Sequence, residues 1–270
     1  MNAKEMMRRK HNAFMPAIKY TKEFYQNNWE GSLRSAQEII PIVLELVQPR
    51  RVVELGCGVG AWLSVLKSYG VEYVLGVDGD YVNREQLLIP KEQFIPFDLE
   101  KPFRIEKDFD LAIALEVAEH LPRNCSEIFV SSLVQLAPVV LFSAAVPFQG
   151  GTHHINEQWP DFWANIFSEH NFVPIDCIRK RVWQNERVEW WYAQNTLIYA
   201  KRELVEENVA FTKAFKGTCI SQLRVIHPLR YLAAVDPERI PLRRILPFVQ
   251  KVVLSSLKRR AKGSFNLLGH

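Results

Sequence analysis

The run Glu54-Leu55-Gly56-Cys57-Gly58-Val59-Gly60 puts three glycines and one carboxylate into seven residues. Glycine has no Cβ, so such a run lets the backbone come close to a ligand that side chains would hold away. The spacing narrows the ligand. A pyrophosphate-binding turn reads G-x-G-x-x-G and seats its ligand on a helix N-terminus. Here the third glycine arrives one position early and Glu54 precedes the loop. An anionic loop of this kind suits a ligand with cationic amino and sulfonium groups. Asp78, 22 residues after Gly56 and followed by Gly79, is placed to accept hydrogen bonds from ribose hydroxyls. Asp98, followed by Leu99, is placed to contact an adenine amine. Each residue alone reads as a turn glycine or a solvated carboxylate. Their common order and register argue against that reading.

A second set of residues could act on the other reactant. Glu116, Glu119 and His120 share one face if the chain turns helically there, since positions i, i+3 and i+4 are neighbours on a helix. Two carboxylates and an imidazole could bind a divalent cation or supply a general base. A further source of imidazole is Gly150-Gly151-Thr152-His153-His154-Ile155-Asn156-Glu157-Gln158-Trp159, in a loop that could reach over the same edge.

These residues need a frame. Apolar spacing predicts a helix over 32–47, followed by strands at 51–55, 73–77, 93–96, 110–115 and 139–143. Helices are expected at 61–68, 126–136 and 160–168, and two last strands at 172–178 and 190–200. Strands alternating with helices imply a doubly wound α/β fold. The expected sheet has seven strands, is mostly parallel and carries helices on both faces. The organisation read is an N-terminal segment and candidate lid (1–32), a catalytic domain (33–201) and a basic helical extension (202–270).

The order E-x-G-C-G-x-G, Val77-Asp78, Phe97-Asp98 and Asp110-Leu-Ala-Ile-Ala-Leu-Glu-Val-Ala-Glu-His-Leu-Pro122 resembles the class I methyltransferases that use S-adenosylmethionine (SAM). The resemblance covers about residues 35–200. It implies that Glu54, Gly56 and Gly58 border the methionine part, with Cys57 and Gly60 in the same loop. Asp78 and Gly79 then lie at the ribose, Asp98 and Leu99 at the adenine, and Glu116 beside the cofactor. The Glu-x-x-Glu-His element resembles the ubiquinone-biosynthesis O-methyltransferases and the small-RNA 3′-terminal 2′-O-methyltransferases. In the latter, a His three residues before a Glu completes a metal site, and His154 and Glu157 match that spacing. The resemblance implies Glu116, Glu119, His120 and His154 as ligands of a divalent cation such as Mg or Mn. Without a metal, the same element implies a base or a pocket-lining role, with His120, His154 and Glu119 as the catalytic candidates. His-His-x-Asn-Glu-Gln-Trp and Val188-Glu-Trp-Trp-Tyr-Ala-Gln-Asn195 resemble an uncharacterised bacterial methyltransferase-domain group found with glycosyltransferases.

The expected reaction is O-methylation of a sugar, glycan or other hydroxylated small molecule. The alternatives are 2′-O-methylation of an RNA 3′ end and a SAM-binding partner protein without catalysis. Trp159, Phe162, Trp163 and Phe167 are read as core at helical spacing. Four cysteines, Cys57, Cys125, Cys177 and Cys219, lie far apart without ligand spacing. They fit a reduced, cytoplasmic setting. Residues 201–270 carry 14 Lys/Arg against 5 Asp/Glu, whereas the first 200 residues are net acidic. Phe248, Val249, Val252, Val253 and Leu257 share one helical face, with Lys251, Lys258, Arg259, Arg260 and Lys262 mostly elsewhere. The simpler expectation is a helix docked on the domain. A peripheral contact with the inner membrane surface, a protein or nucleic acid is the alternative.

Overall fold

The computed structural model describes residues 22–235, 246 and 249–256. Helix α1 (Lys22–Leu46) is followed by β1 (Arg51–Leu55), α2 (Ala61–Ser68), β2 (Tyr73–Asp78) and β3 (Phe94–Pro96). Then come β4 (Leu111–Leu115), α3 (Ser126–Leu136), β5 (Val139–Ser143), α4 (Pro160–Glu169) and β6 (Phe172–Ile175). Two short helices, α5 (Arg179–Val182) and α6 (Trp190–Asn195), precede β7 (Leu197–Lys201). Helices α7 (Arg202–Glu207), α8 (Val209–Lys216) and α9 (Pro228–Val235) follow.

The strands form one seven-stranded sheet in the order β3-β2-β1-β4-β5-β7-β6. All neighbours are parallel except β7, which runs antiparallel to both β5 and β6. This is the doubly wound, mostly parallel α/β sheet expected from the alternation of elements. Successive side chains on a strand point to opposite faces, and the two faces have separate cores. Val52, Val74 and Ile113 pack with Ile39, Ile40 and Val43 of α1 and Leu63 and Leu66 of α2. Val53, Leu75 and Ala112 pack with Phe129 and Leu133 of α3 and Trp163 and Phe167 of α4. Strand order reverses between β1 and β4, and in such sheets the crevice beyond the strand ends at that point receives ligands.

Several boundaries depart from the sequence reading. Helix α1 begins ten residues earlier, at Lys22, and runs through position 32, where the N-terminal segment was expected to end. Residues 1–21 of that segment lie outside the described residues. The aromatic stretch 190–195 is a helix, and only Leu197–Lys201 is strand. Aromatic residues favour strands on average, but here tertiary contacts prevail. Tyr192 is buried edge-on against Trp62 with ring centroids 5.1 Å apart, and Gln194 and Asn195 are buried as polar groups. Strand β6 stops at Ile175, and its Pro174 sits on the sheet edge, where a missing N–H is tolerated. The residues 249–256 are helical, yet Val249, Val252 and Val253 are exposed, so the expected docking of that face does not occur. Phe248, Leu257, Lys258, Arg259, Arg260 and Lys262 lie outside the described residues.

One buried cation ties the segment after β7 to the body. Arg179 is 2% exposed; it donates bidentately to Asp176 at 2.9 and 2.7 Å. Its remaining Nη1 donates to the carbonyls of Gln194 and Leu223 at 3.2 and 2.8 Å. Removing one partner of such a buried pair strands the other. Arg179→Met is expected to cost about 3–5 kcal/mol. The exposed Arg187–Glu38 pair should cost less than about 1 kcal/mol on Arg187→Ala. Urea unfolding of the two variants, followed by circular dichroism, measures the contrast.

Candidate active site at the sheet edge

The glycine loop joins β1 to α2 and leans on the end of β2. Gly56 and Cys57 both donate to the Val77 carbonyl, at 2.7 and 3.3 Å. Gly56 has φ +83°, and its Cα faces the side chain of Val117, so a Cβ there meets both strain and collision. Gly58 N–H donates to Asp78 Oδ2 at 2.7 Å, and Gly79 N–H donates to Oδ1 at 2.7 Å. Tyr81, absent from the sequence reading, adds its hydroxyl to Oδ1 at 2.5 Å. Burial nevertheless raises the Asp78 carboxyl above its ordinary value, outweighing these three donors. Glu54 is buried, with Oε2 lacking a hydrogen-bond partner. Burial, then the neighbouring Asp78 charge, pushes Glu54 well above the carboxylate range.

The other cofactor candidates are placed differently. Cys57 is buried with its Sγ against Gly76, beneath the loop. Gly60 has φ +82° and precedes α2. Leu99 is buried in the core, whereas Asp98 is exposed and pairs with Lys101 at 3.2 Å. The Glu100 N–H and then Lys101 hold the Asp98 carboxyl below its ordinary value.

Glu119, His120 and His154 converge, each offering one ligand atom within 4.8 Å of the others. The expected helical face does not produce this. Glu116 has φ +55°, and a single 3-10 turn starts only at Ala118. Glu116 lies outside the group, its oxygens taking Asn195 Nδ2 at 3.0 Å and Gln149 Nε2 at 2.9 Å. The loop 150–158 completes the group. Ile155 and Asn156 N–H donate to the Glu119 carbonyl at 2.9 and 3.0 Å. Asn156, 2% exposed, also donates from its side chain to the Ala118 carbonyl and Ser126 Oγ. Glu157 accepts from Phe148 N–H at 2.7 Å, Gly150 N–H at 2.6 Å and His154 Nδ1 at 3.0 Å. With Nδ1–H bound to Glu157, Nε2 of His154 is left as an acceptor, the usual second-shell orientation of a metal-binding histidine. The rings of His120 and His154 meet edge-on, 4.9 Å apart. His153 is exposed and outside the group.

Glu119 is fully buried, and neither carboxylate oxygen has a hydrogen-bond partner. Burial, then Glu116, raises its carboxyl well above the ordinary range. Burial, then His154, pushes His120 down to about 4, so its imidazole is neutral near pH 7. The neutral imidazole can accept a proton or ligate a cation, and a cation bound beside it would return the Glu119 carboxyl to its charged, ligating form. Tyr81, Gln149 and Asn195 were not legible as site residues. Asn195 closes the run Val188–Asn195, which carried a resemblance but no site role, and no motif marks Tyr81 or Gln149.

The family described as "Methyltransferase domain" matches residues 25–192. No curated sequence matches the chain. Among solved structures, the small RNA methyltransferase HEN1 is 16% identical, with 62% of this chain and 25% of that chain covered and a TM-score of 0.46. The magnesium protoporphyrin IX methyltransferase ChlM of Synechocystis PCC 6803, with bound SAH, is 17% identical, with 74% and 94% covered and a TM-score of 0.47. Human N-acetylserotonin methyltransferase, in complex with SAM, is 16% identical, with 69% and 60% covered and a TM-score of 0.47.

Glu54 allows a test that separates stability from binding. A carboxyl raised on folding contributes most stability below its unfolded value of 4.5 and loses it as pH rises through the folded value. Glu54→Gln should therefore raise the melting temperature at pH 7–8 and change it little near pH 4.5. The same variant should weaken SAM binding at least about tenfold, equivalent to the loss of one charge-assisted hydrogen bond. Thermal melts against pH, with calorimetry at pH 7.5, measure both.

Proposed function

This chain belongs to the class I SAM-dependent methyltransferases, and on that premise we propose that it methylates a hydroxyl oxygen of a sugar, glycan or other hydroxylated small molecule. The observation that carries this reading is the convergence of Glu119, His120 and His154 beside the glycine loop's edge of the sheet. A hydroxyl is a poor nucleophile until its proton is taken or its oxygen is polarised. SAM supplies an electrophilic methyl group on a sulfonium. Glu54, the Gly56–Gly60 loop and Asp78 are the residues proposed to hold it. The buried, unpartnered Oε2 of Glu54 suits a cationic group, and the Asp78 carboxylate suits a vicinal diol.

A divalent cation fits the second cluster. Glu119 has two buried oxygens without partners, His120 has an unpartnered Nδ1, and His154 is oriented through Nδ1 by Glu157. We assign Glu119, His120 and His154 as its ligands, where it would lower the pKa of a bound hydroxyl. With no cation bound, the same imidazole lone pairs of His120 and His154 are the ones free to take the acceptor proton. Asn195 and Gln149 hold Glu116 at the rim.

The test is methyl transfer from labelled SAM to a panel of glycans, phenols and RNA 3′ ends. Label on glycans or phenols, lost on chelation and restored by Mg or Mn, is the expected result. His154→Ala should lower kcat at least about 100-fold, with SAM affinity unchanged. Label on RNA alone overturns the acceptor assignment. Activity indifferent to chelation, with no metal bound, overturns the cation.

A further inference from the structure

Helix α9 is inverted relative to an ordinary surface helix. Such helices turn apolar residues inward and charged ones outward. In α9 it is Arg230 that is buried, while Leu229, Tyr231, Leu232 and Val235 are 55, 59, 54 and 48% exposed. The orientation is set by its entry. The buried His227 donates its N–H to Gln194 Oε1 at 2.8 Å, and its Nε2 meets the Trp183 carbonyl at 2.9 Å. The apolar face is therefore held toward solvent by bonds to the body.

The helical residues 249–256 are exposed on all sides: Val249, Val252 and Val253, spaced to share one face, are 46, 46 and 50% exposed, and Leu254 and Lys251 are exposed away from that face. Asp236 and Glu238 follow α9, and beyond them the chain is of one sign. From Arg239 to His270 there are eight Lys/Arg and no Asp/Glu. Among the described residues no helix is long and apolar enough to cross a membrane.

We propose that the exposed apolar faces of α9 and of residues 249–256, with the basic residues from 239 onward, bind the interface of an anionic lipid bilayer. Exposed apolar residues beside cations, without length to span, describe a segment that lies in the headgroup region. Uniform positive charge complements a uniformly anionic sheet. A protein surface of mixed charge offers eight cations no such match. The occupant is therefore an anionic lipid surface, independent of which acceptor is methylated.

The full chain is tested by co-sedimentation with vesicles of phosphatidylcholine alone and of phosphatidylcholine with phosphatidylglycerol. Binding to the anionic vesicles only, reduced by salt, is expected. Tyr231→Glu with Leu232→Glu, and separately Val252→Glu with Val253→Glu, should each lower partitioning at least tenfold. All four side chains are exposed, so melting temperatures should not change. Absence of wild-type binding overturns the proposal. Equal binding of both double variants also overturns it, because attraction would then be purely ionic. A wild-type dimer by light scattering that these variants dissociate overturns it in favour of a second copy of the chain.

Discussion

Carboxyl groups buried without a compensating cation are the constraint on which this architecture turns. Glu54, Asp78 and Glu119 are 2, 5 and 0% exposed at one edge of the sheet. Asp78 accepts from two backbone N–H groups and a hydroxyl, whereas Glu54 Oε2 and the Glu119 oxygens have no hydrogen-bond partner, and Glu119 sits beside Glu116, His120 and His154. Taking a carboxylate out of water costs several kcal/mol unless a partner compensates. An apolar core of seven strands covered on both faces can carry that cost. In our reading the partnerless buried carboxyls make the edge a receptor for cationic groups, the amino and sulfonium groups of SAM at Glu54 and a metal ion at Glu119, whose binding would return each carboxyl to its charged form.

Holding such groups in place requires the surrounding loops to be over-determined. The loop after β5 is fastened twice. Its Asn156 is buried against the Ala118–His120 turn, and its Glu157 carboxylate gathers two backbone N–H groups and the His154 ring. The turn and the loop thus define each other through the Glu119 carbonyl, which accepts from both Ile155 and Asn156. His154 reaches His120 because the backbone around it is fixed, which is the preorganisation that catalytic and metal sites need.

A second chain of hydrogen bonds runs from the site to the start of α9. Asn195 donates to Glu116, Gln194 donates to Asn195, and Gln194 accepts from His227, which opens α9. Arg179 clamps the same stretch through the Gln194 and Leu223 carbonyls. The segment after β7 is therefore continuous with the walls of the site. Its outward apolar face is a property of the folded body.

Much of the frame was legible in the sequence. Buried parallel strands read as short apolar runs, and β1, β2, β4 and β5 fall within a residue of their expected ends. The glycine loop was legible because left-handed backbone at Gly56, Gly58 and Gly60 needs that residue type. The stretch 190–195 was not legible, since its aromatic composition favours strand and tertiary contacts, Tyr192 against Trp62 and the buried bonds of Gln194 and Asn195, accompany the helix instead. Helical spacing was expected to bring Glu116 to Glu119 and His120; the left-handed backbone at Glu116 replaces the helical turn, and its oxygens are held by Asn195 and Gln149 while it still neighbours Glu119. By itself, then, the sequence determined the fold class and the methyl donor, because both rest on local spacing along single elements. Which imidazoles and carboxylates meet, that Glu157 orients His154, and that α9 faces outward were decided only in the tertiary structure. Those contacts join residues tens of positions apart, and no local pattern encodes the distance between them.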